Sequence, residues 1–404
     1  AYFLEKDVSD FEWVMWFTKF RNYILLVLSG HVLFGKIVSM VVPEYRALIY
    51  MTYGLLTVLA LMGYQFVLLL VSHCFVLYTV ALIKCRWLCF IAGLGSLASL
   101  KLVPFSSWQM DFALGNHQLQ DVLYAGGLAF TIIRCMSFML DNCDLVETNY
   151  SFLDLLKYNF YLPFFFFGPI MIYEDFHKQV DHLVASRESD IRGSMIFYLV
   201  LICFIDCTFH YLYIVAIPEN LQLLDSISDW GVAFLAYSNL LYDWVKAAVL
   251  FGMVGSVARL DHFDPPKPPK CITALYVFAD TYIYNYVGES HTELFKELRA
   301  TISTFAVTTL WLGPCPTVCL WSACNCFGLN LELWIRRIAC ISFIWSRRIR
   351  AMFGAANYWN IILYNVLSIN SVPFAELAAS RLFFHGKCML WLDLTQYKHA
   401  GKTT

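Results

Sequence analysis

A succession of long, nearly uncharged apolar runs constrains this 404-residue chain more than any other feature. A helix that spans a bilayer needs about 20 mostly apolar residues. Asn22–Val42 meets that length, with Lys36 as its one full charge. Ala47–Ile83 is long enough for two spans, hinged near Gly63, whereas Trp87–Leu100 is short. Val122–Leu140 qualifies although it contains Arg134. Met195–Ile217, Gly231–Ala258, Thr301–Ala323 and Tyr358–Val372 follow, and Arg381–Leu392 is a weaker run. The expected fold is therefore an all-α integral membrane protein, a polytopic helical bundle sitting in the lipid bilayer.

Composition supports this and excludes alternatives. Hydrophobic residues are 59% and charged residues only 14%, where a soluble domain has about a quarter charged. The surplus apolar surface is best placed against lipid. Net charge is −2, so nucleic acid is not a partner for which the chain is built. Most of the 14 cysteines lie inside apolar runs, as Cys74, Cys89, Cys203 and Cys207 do. They read as small buried thiols rather than a disulfide framework. The chain opens on Ala1 rather than Met, so the N-terminus is expected to be incomplete, and no charged n-region or cleavage site marks a signal peptide. No internal repeat or low-complexity linker divides 1–404, and a single membrane domain is the simplest organisation.

One segment breaks the pattern. Tyr158–Tyr173 reads YNFYLPFFFFGPIMIY, with Pro163 and then Gly168-Pro169. Proline removes a backbone donor and interrupts a helix. Non-helical backbone at membrane depth survives only inside protein or beside a water-filled cavity. The segment is read either as a re-entrant, broken piece or as a kinked ordinary span. Polar connectors are few: His177–Arg192, the proline-rich Asp261–Lys270, and Glu289–Arg299 as a surface helix. Arg336, Arg337, Arg347, Arg348 and Arg350 cluster between two runs and are expected in the cytosol.

Ionisable side chains inside spans are costly and mark function by default. His31, His73, Asp206, His210, Asp243 and Lys246 are the candidates. Asp206 and His210 share a helix face at i, i+4. They suit an oriented general base or a metal ligand pair, or, more simply, a satisfied hydrogen bond. Asp243 and Lys246, three apart, read as a structural ion pair. Cys315 and Cys319 fit the gap of a zinc-binding pair, but Cys324 and Cys326 are only two apart and no nearby histidine completes the set, so a metal site is not expected. No phosphate loop, dinucleotide fingerprint, nucleophile elbow or HExxH is present.

Asp10–Trp13, Lys157–Met171, Val245–Cys271 and Thr308–Asn330 carry a resemblance to the membrane-bound O-acyltransferase superfamily, in its hedgehog acyltransferase branch. The resemblance implies a bundle with re-entrant segments around a tunnel, in the endoplasmic reticulum membrane. It implies an enzyme that takes a fatty acyl group from acyl-CoA; the branch moves palmitate from palmitoyl-CoA onto the N-terminal cysteine of Hedgehog precursor. The family's catalytic histidine falls in a pattern like Tyr-Trp-His-Gly-Gly, and this chain has Leu310-Trp311-Leu312-Gly313-Pro314. Leu312 cannot carry a proton, and general acid–base catalysis contributes about 10²–10⁴-fold. His291 and His385 are distant in sequence. The family's acidic residue belongs to a stretch that this chain lacks between Tyr282 and Ile283, and Asp280 is not assigned its role. The tail after Cys388 also departs from the family. Cys271 matches the cysteine that ligates haem iron in the branch, and it is read either as that ligand or as a retained packing cysteine.

Two functions follow from the resemblance. One is a catalytically defective relative that lowers Hedgehog palmitoylation by competing for precursor or acyl-CoA. The other is an active acyltransferase with an unrecognised base, acting on a protein or a lipid. A lipid or small-solute transporter is a weaker third reading, suggested by the spans alone.

Overall fold

The structure, a computed structural model, describes residues 6–114, 121–144, 150–165, 168–181, 188–266, 276–288, 294–338 and 372–381, together with residues 352, 354, 357, 365 and 366. Among them all regular structure is helical. The principal helices are α1 (Arg21–Val41), α2 (Arg46–Met62), α3 (Tyr64–Ala81), α4 (Arg86–Ser99), α5 (Phe105–Leu114), α6 (Asp121–Asp144) and α7 (Phe152–Asn159). They continue as α8 (Tyr173–Asp181), α9 (Glu188–Tyr211), α10 (Asp229–Leu260), α11 (Leu294–Leu312), α12 (Pro316–Ile338) and α13 (Val372–Ala379). Seven helices of the described chain are long and apolar enough to cross a membrane.

Contacts divide the chain into two units, a larger one of Phe11–Cys207 and Trp244–Cys326 and a smaller one of Ala1–Asp10, Thr208–Asp243 and Phe327–Thr404. The larger unit is built around α6, which packs chiefly on α3 and α4. In the most apolar part of α6, 83% of residues are buried, against 17% in α1. Leu26, Met40 and Val41 on α1 are 73%, 84% and 71% exposed. No water-soluble core would leave such a run uncovered, and the bilayer accounts for it. The smaller unit has its own apolar cluster, including Leu224, Val232, Leu235, Phe374 and Ala378. Arg381 closes it by donating to the Ile227 carbonyl at 2.6 Å.

Sequence signals explain the main joints. The long run Ala47–Ile83 does hold two helices, and Gly63 separates them with φ +84°, a conformation that glycine adopts at no steric cost. α7 starts on a capping box, Ser151 with Asp154 at N3. After α7 the backbone makes one short turn at Leu162–Phe165 and runs irregularly through 168–172 before α8. These residues are buried, Tyr161, Phe165 and Met171 among them, so the segment is broken backbone enclosed by protein rather than a kinked span. Tyr158 donates its hydroxyl to the Met171 carbonyl and ties the two limbs together.

Other expectations are corrected. Thr301–Ala323 is not one span: α11 ends at Leu312, Gly313 takes φ +104°, and a new helix begins at Pro316. Met195–Ile217 shifts towards the N-terminus, since α9 runs Glu188–Tyr211. Within Glu289–Arg299, residues 294–299 are not a separate surface helix but the first turns of α11, and Glu297 there is buried. Arg336 and Arg337 end α12, while Arg347, Arg348, Arg350, Cys271, His291 and His385 lie outside the described residues.

Candidate functional site

Two corners of the larger unit concentrate the polar chemistry. The first is closed. His31 lies mid-helix on α1, 1% exposed, and its Nε2 sits 2.7 Å from Asp261 Oδ2. The same oxygen accepts from the Tyr161 hydroxyl at 2.7 Å, and Tyr50 donates to Oδ1 at 3.3 Å. One carboxylate thus receives groups from α1, α2 and the broken segment. A buried carboxyl group is tolerated in a low-dielectric interior only when hydrogen bonds satisfy its oxygens, and the histidine and the tyrosines provide them. Arg46, also buried, donates to the Val180 carbonyl at 2.7 Å and to those of Gln179 and Asp261 at 3.3 and 3.5 Å. The chain approaches itself closely here: a Cβ on Gly54 would stand 1.9 Å from the Phe160 carbonyl oxygen.

Sequence reasoning named His31 but left Asp261 in a connecting loop and missed Tyr50, Tyr161 and Arg46. Asp261 immediately follows α10 and begins the proline-rich stretch, so the corner anchors the start of the segment that leads to Cys271. The other intramembrane candidates do not converge on it. His73 Nδ1 is 2.7 Å from the Ser96 hydroxyl and its Nε2 is 2.9 Å from Gln109 Oε1, a hydrogen-bonded packing histidine. Asp206 accepts from Trp13 Nε1 at 3.0 Å, and His210 is exposed. Lys246 pairs with Glu12 at 2.9 Å, a partner far outside the reach of helix spacing.

The second corner is open. Leu312 is the last residue of α11 and is 43% exposed. Beside it, Trp311 packs edge-on against Phe130, centroids 5.2 Å apart. Lys101, between α4 and α5, runs past Gly313, where an added Cβ would lie 3.9 Å from its Nζ. Burial holds the Lys101 ammonium below its ordinary pKa, and among the described residues no carboxylate pairs with it. The corner therefore presents a leucine and an unpaired amine.

Two further features lie between α6 and its neighbours. Arg134 is 1% exposed; it donates through Nη1 to the Asn159 carbonyl at 3.2 Å, while Nη2 has no acceptor among the described residues. Tyr282 donates to Asp141 Oδ1 at 2.7 Å and lies 2.9 Å from the Ser137 hydroxyl. Asp280–Tyr284 forms a π-helical turn at the place where the family resemblance puts its extra stretch. Asp280 is engaged by Asn285 at 3.4 Å. Separately, a shallow, half-open apolar groove lies between the residues preceding α1, α1 itself, α2, α6 and the broken segment, lined by Trp16, Phe20, Tyr23, Val27, Leu61 and Pro163 among others. Its chemistry suits hydrocarbon.

Long apolar helices packed around broken, protein-enclosed backbone define a polytopic helical membrane protein. A family model described as membrane-bound O-acyltransferase matches residues 130–371. The mouse protein-cysteine N-palmitoyltransferase HHAT-like protein is 51% identical, over 94% of this chain and 80% of its own length. Mouse protein-cysteine N-palmitoyltransferase HHAT is 25% identical, over 95% of this chain and 84% of its own length. The Drosophila melanogaster protein-cysteine N-palmitoyltransferase Rasp is 22% identical, over 76% of this chain and 64% of its own length. The chain belongs to the membrane-bound O-acyltransferase family, in the branch of the hedgehog acyltransferase-like proteins.

Proposed function

We propose that this protein is a catalytically defective acyltransferase-like protein of the endoplasmic reticulum membrane that lowers N-terminal palmitoylation of Hedgehog proteins by its active relative. Leu312 carries the reading. It stands at the position that the resemblance gives to the catalytic histidine, at an exposed helix end. Acylation of an amine by a thioester requires the amine's extra proton to leave as the bond forms. An imidazole accepts it near neutral pH, with an unperturbed pKa of about 6.5; a leucine cannot. His31 is no substitute, being enclosed and already engaged by Asp261.

Binding does not need the missing base. The apolar groove offers a hydrocarbon surface for an acyl chain. A chain that holds palmitoyl-CoA or Hedgehog precursor without turning it over competes with the active enzyme. The test is co-expression with that enzyme and measurement of palmitate on Hedgehog. Palmitoylation should fall as this chain rises. Unchanged palmitoylation at high expression removes the competitor reading.

Lys101 favours a second reading, an active acyltransferase with another base acting on a protein or lipid. Its unpaired amine beside Gly313, with a lowered pKa, has the character of a general base. Acyl transfer by the purified chain alone, abolished in Lys101→Met, would establish that reading; an inactive chain discards it. Cys271 would supply the thiolate for a haem iron, a ligand type suited to that metal.

A further inference from the structure

The start of α4 and the end of α6 bring together three cysteines that neither corner uses. Cys89 is fully buried on α4, and its Sγ lies 3.6 Å from Cys143 Sγ in the last turn of α6. Cys143 is half-buried. Cys85 is exposed one turn before Cys89, whose backbone N–H donates to the Cys85 carbonyl at 3.0 Å. The flanking residues hold these helix ends in place. Arg86 pairs with Asp144 at 2.9 Å and lies 4.1 Å above the Tyr286 ring. An arginine engaged by a carboxylate on one side and an aromatic face on the other is a pre-organised clamp.

We propose that Cys89 and Cys143 form a redox-active dithiol that closes to an intrachain disulfide by exchange with a small disulfide such as glutathione disulfide. A disulfide needs about 2.05 Å between sulfurs, so the two atoms must approach by about 1.5 Å, which is the scale of a side-chain rotation. Exchange begins at the accessible sulfur. The Cys143 thiolate attacks glutathione disulfide, forms a mixed disulfide and releases one glutathione thiolate. The Cys89 thiolate then attacks Cys143 Sγ, forms the Cys89–Cys143 bond and expels the second. Two electrons pass from the protein to glutathione disulfide, and the two thiol protons end on the two glutathiones. The product links α4 covalently to α6, the helix at the centre of the larger unit.

The chain contains its own control. Cys74 and Cys135 hold their sulfurs at a similar distance, 3.7 Å, but both are fully buried at mid-helix. Proximity is matched and access is not. Exchange needs a sulfur that the small disulfide can reach, so of these two pairs the α4–α6 one, with its half-buried Cys143, should respond.

The experiment uses the full chain in native membranes, equilibrated across glutathione disulfide to glutathione ratios, quenched with N-ethylmaleimide and mapped by non-reducing peptide mass spectrometry. The Cys89–Cys143 peptide should accumulate at least about tenfold over the Cys74–Cys135 peptide. Cys89→Ser should leave Cys143 as a stable glutathione adduct, and Cys143→Ser should leave Cys89 unmodified. Absence of the Cys89–Cys143 link at every ratio overturns the proposal. So does equal linkage of the buried pair, which would report proximity or unfolding alone. A predominant Cys85–Cys89 link, or an adduct on Cys89 in Cys143→Ser, overturns the order of attack. A serine variant that fails to fold does not affect the measurement on the unaltered chain.

Discussion

The His31–Asp261 corner and the Leu312–Lys101 corner lie in the same unit and treat charge in opposite ways. In the first, every element that arrives brings a donor to one carboxylate, and the histidine is sealed at 1% exposure. In the second, the helix end is exposed, its terminal side chain is apolar, and the nearest amine has no ionic partner among the described residues. Titratable groups persist here where they hold chain segments together. At the second corner the titratable group is the Lys101 amine beside Gly313. A fold retained without its chemistry would show this asymmetry, because packing and catalysis are lost through different substitutions.

The sharpest way to break the contrast is to remove the carboxylate. Asp261→Leu leaves His31, Tyr161 and Tyr50 without their acceptor in the interior, and breaking a buried pair costs about 3–5 kcal/mol. The yield of monodisperse protein in fluorescence-detected size exclusion should collapse. A normal yield would mean that the corner is not structural. Gly54→Ala should have the next largest effect. Its methyl group would collide with the Phe160 carbonyl at 1.9 Å, and overpacking of this kind costs about 1–3 kcal/mol. Thermal unfolding in detergent reads the loss, and an unchanged midpoint would show that α2 and the broken segment can separate freely.

Asp154 tests an intermediate case, partly exposed and outside the spans. Burial pushes its pKa up, but the Ser151 hydrogen bonds and the Lys157 ammonium outweigh this and hold it below the ordinary value. A carboxylate with a depressed folded pKa contributes stability above its unfolded pKa, about 3.9, and loses it as pH falls through the folded value. Asp154→Asn should therefore lower the melting temperature at neutral pH and converge with the parent in acid. Parallel curves would remove the cap from the account. Leu312→His should do least to the fold, within about 0.5 kcal/mol, as expected of an exposed position. A large destabilisation would show that Leu312 is packing and that the second corner is not open.

Much of the membrane architecture was legible because hydropathy and proline are local signals. Asn22–Val42, the Gly63 hinge and the broken Tyr158–Tyr173 segment all appear as the sequence suggests. The misreading of Thr301–Ala323 has the same physics behind it. Gly313-Pro314 ends a helix, but the hydrophobic run continues through it. Partners of intramembrane charges were not legible. Helix spacing offers His210 to Asp206, whereas the structure brings Trp13 to it from the start of the chain, and Glu12 from the same stretch reaches Lys246. Nothing in a linear pattern connects His31 to a carboxylate 230 residues away. Leu312 was singled out through resemblance alone, since a leucine in an apolar run carries no signal of its own.

Arg46 has a consequence for how two helix ends are neutralised. The carbonyls of Gln179 and Val180 belong to the last turn of α8, and that of Asp261 directly follows α10. Helix C-termini carry about half a negative charge each, from carbonyls with no partner further along the helix. One guanidinium therefore serves as the counter-charge for two macrodipoles at once, while its face lies 5.7 Å over the Phe263 ring. An ammonium is a compact point charge without the planar fork that spreads five donors across both ends. With lysine in its place, one of the two helix termini would face the interior with its partial charge unanswered.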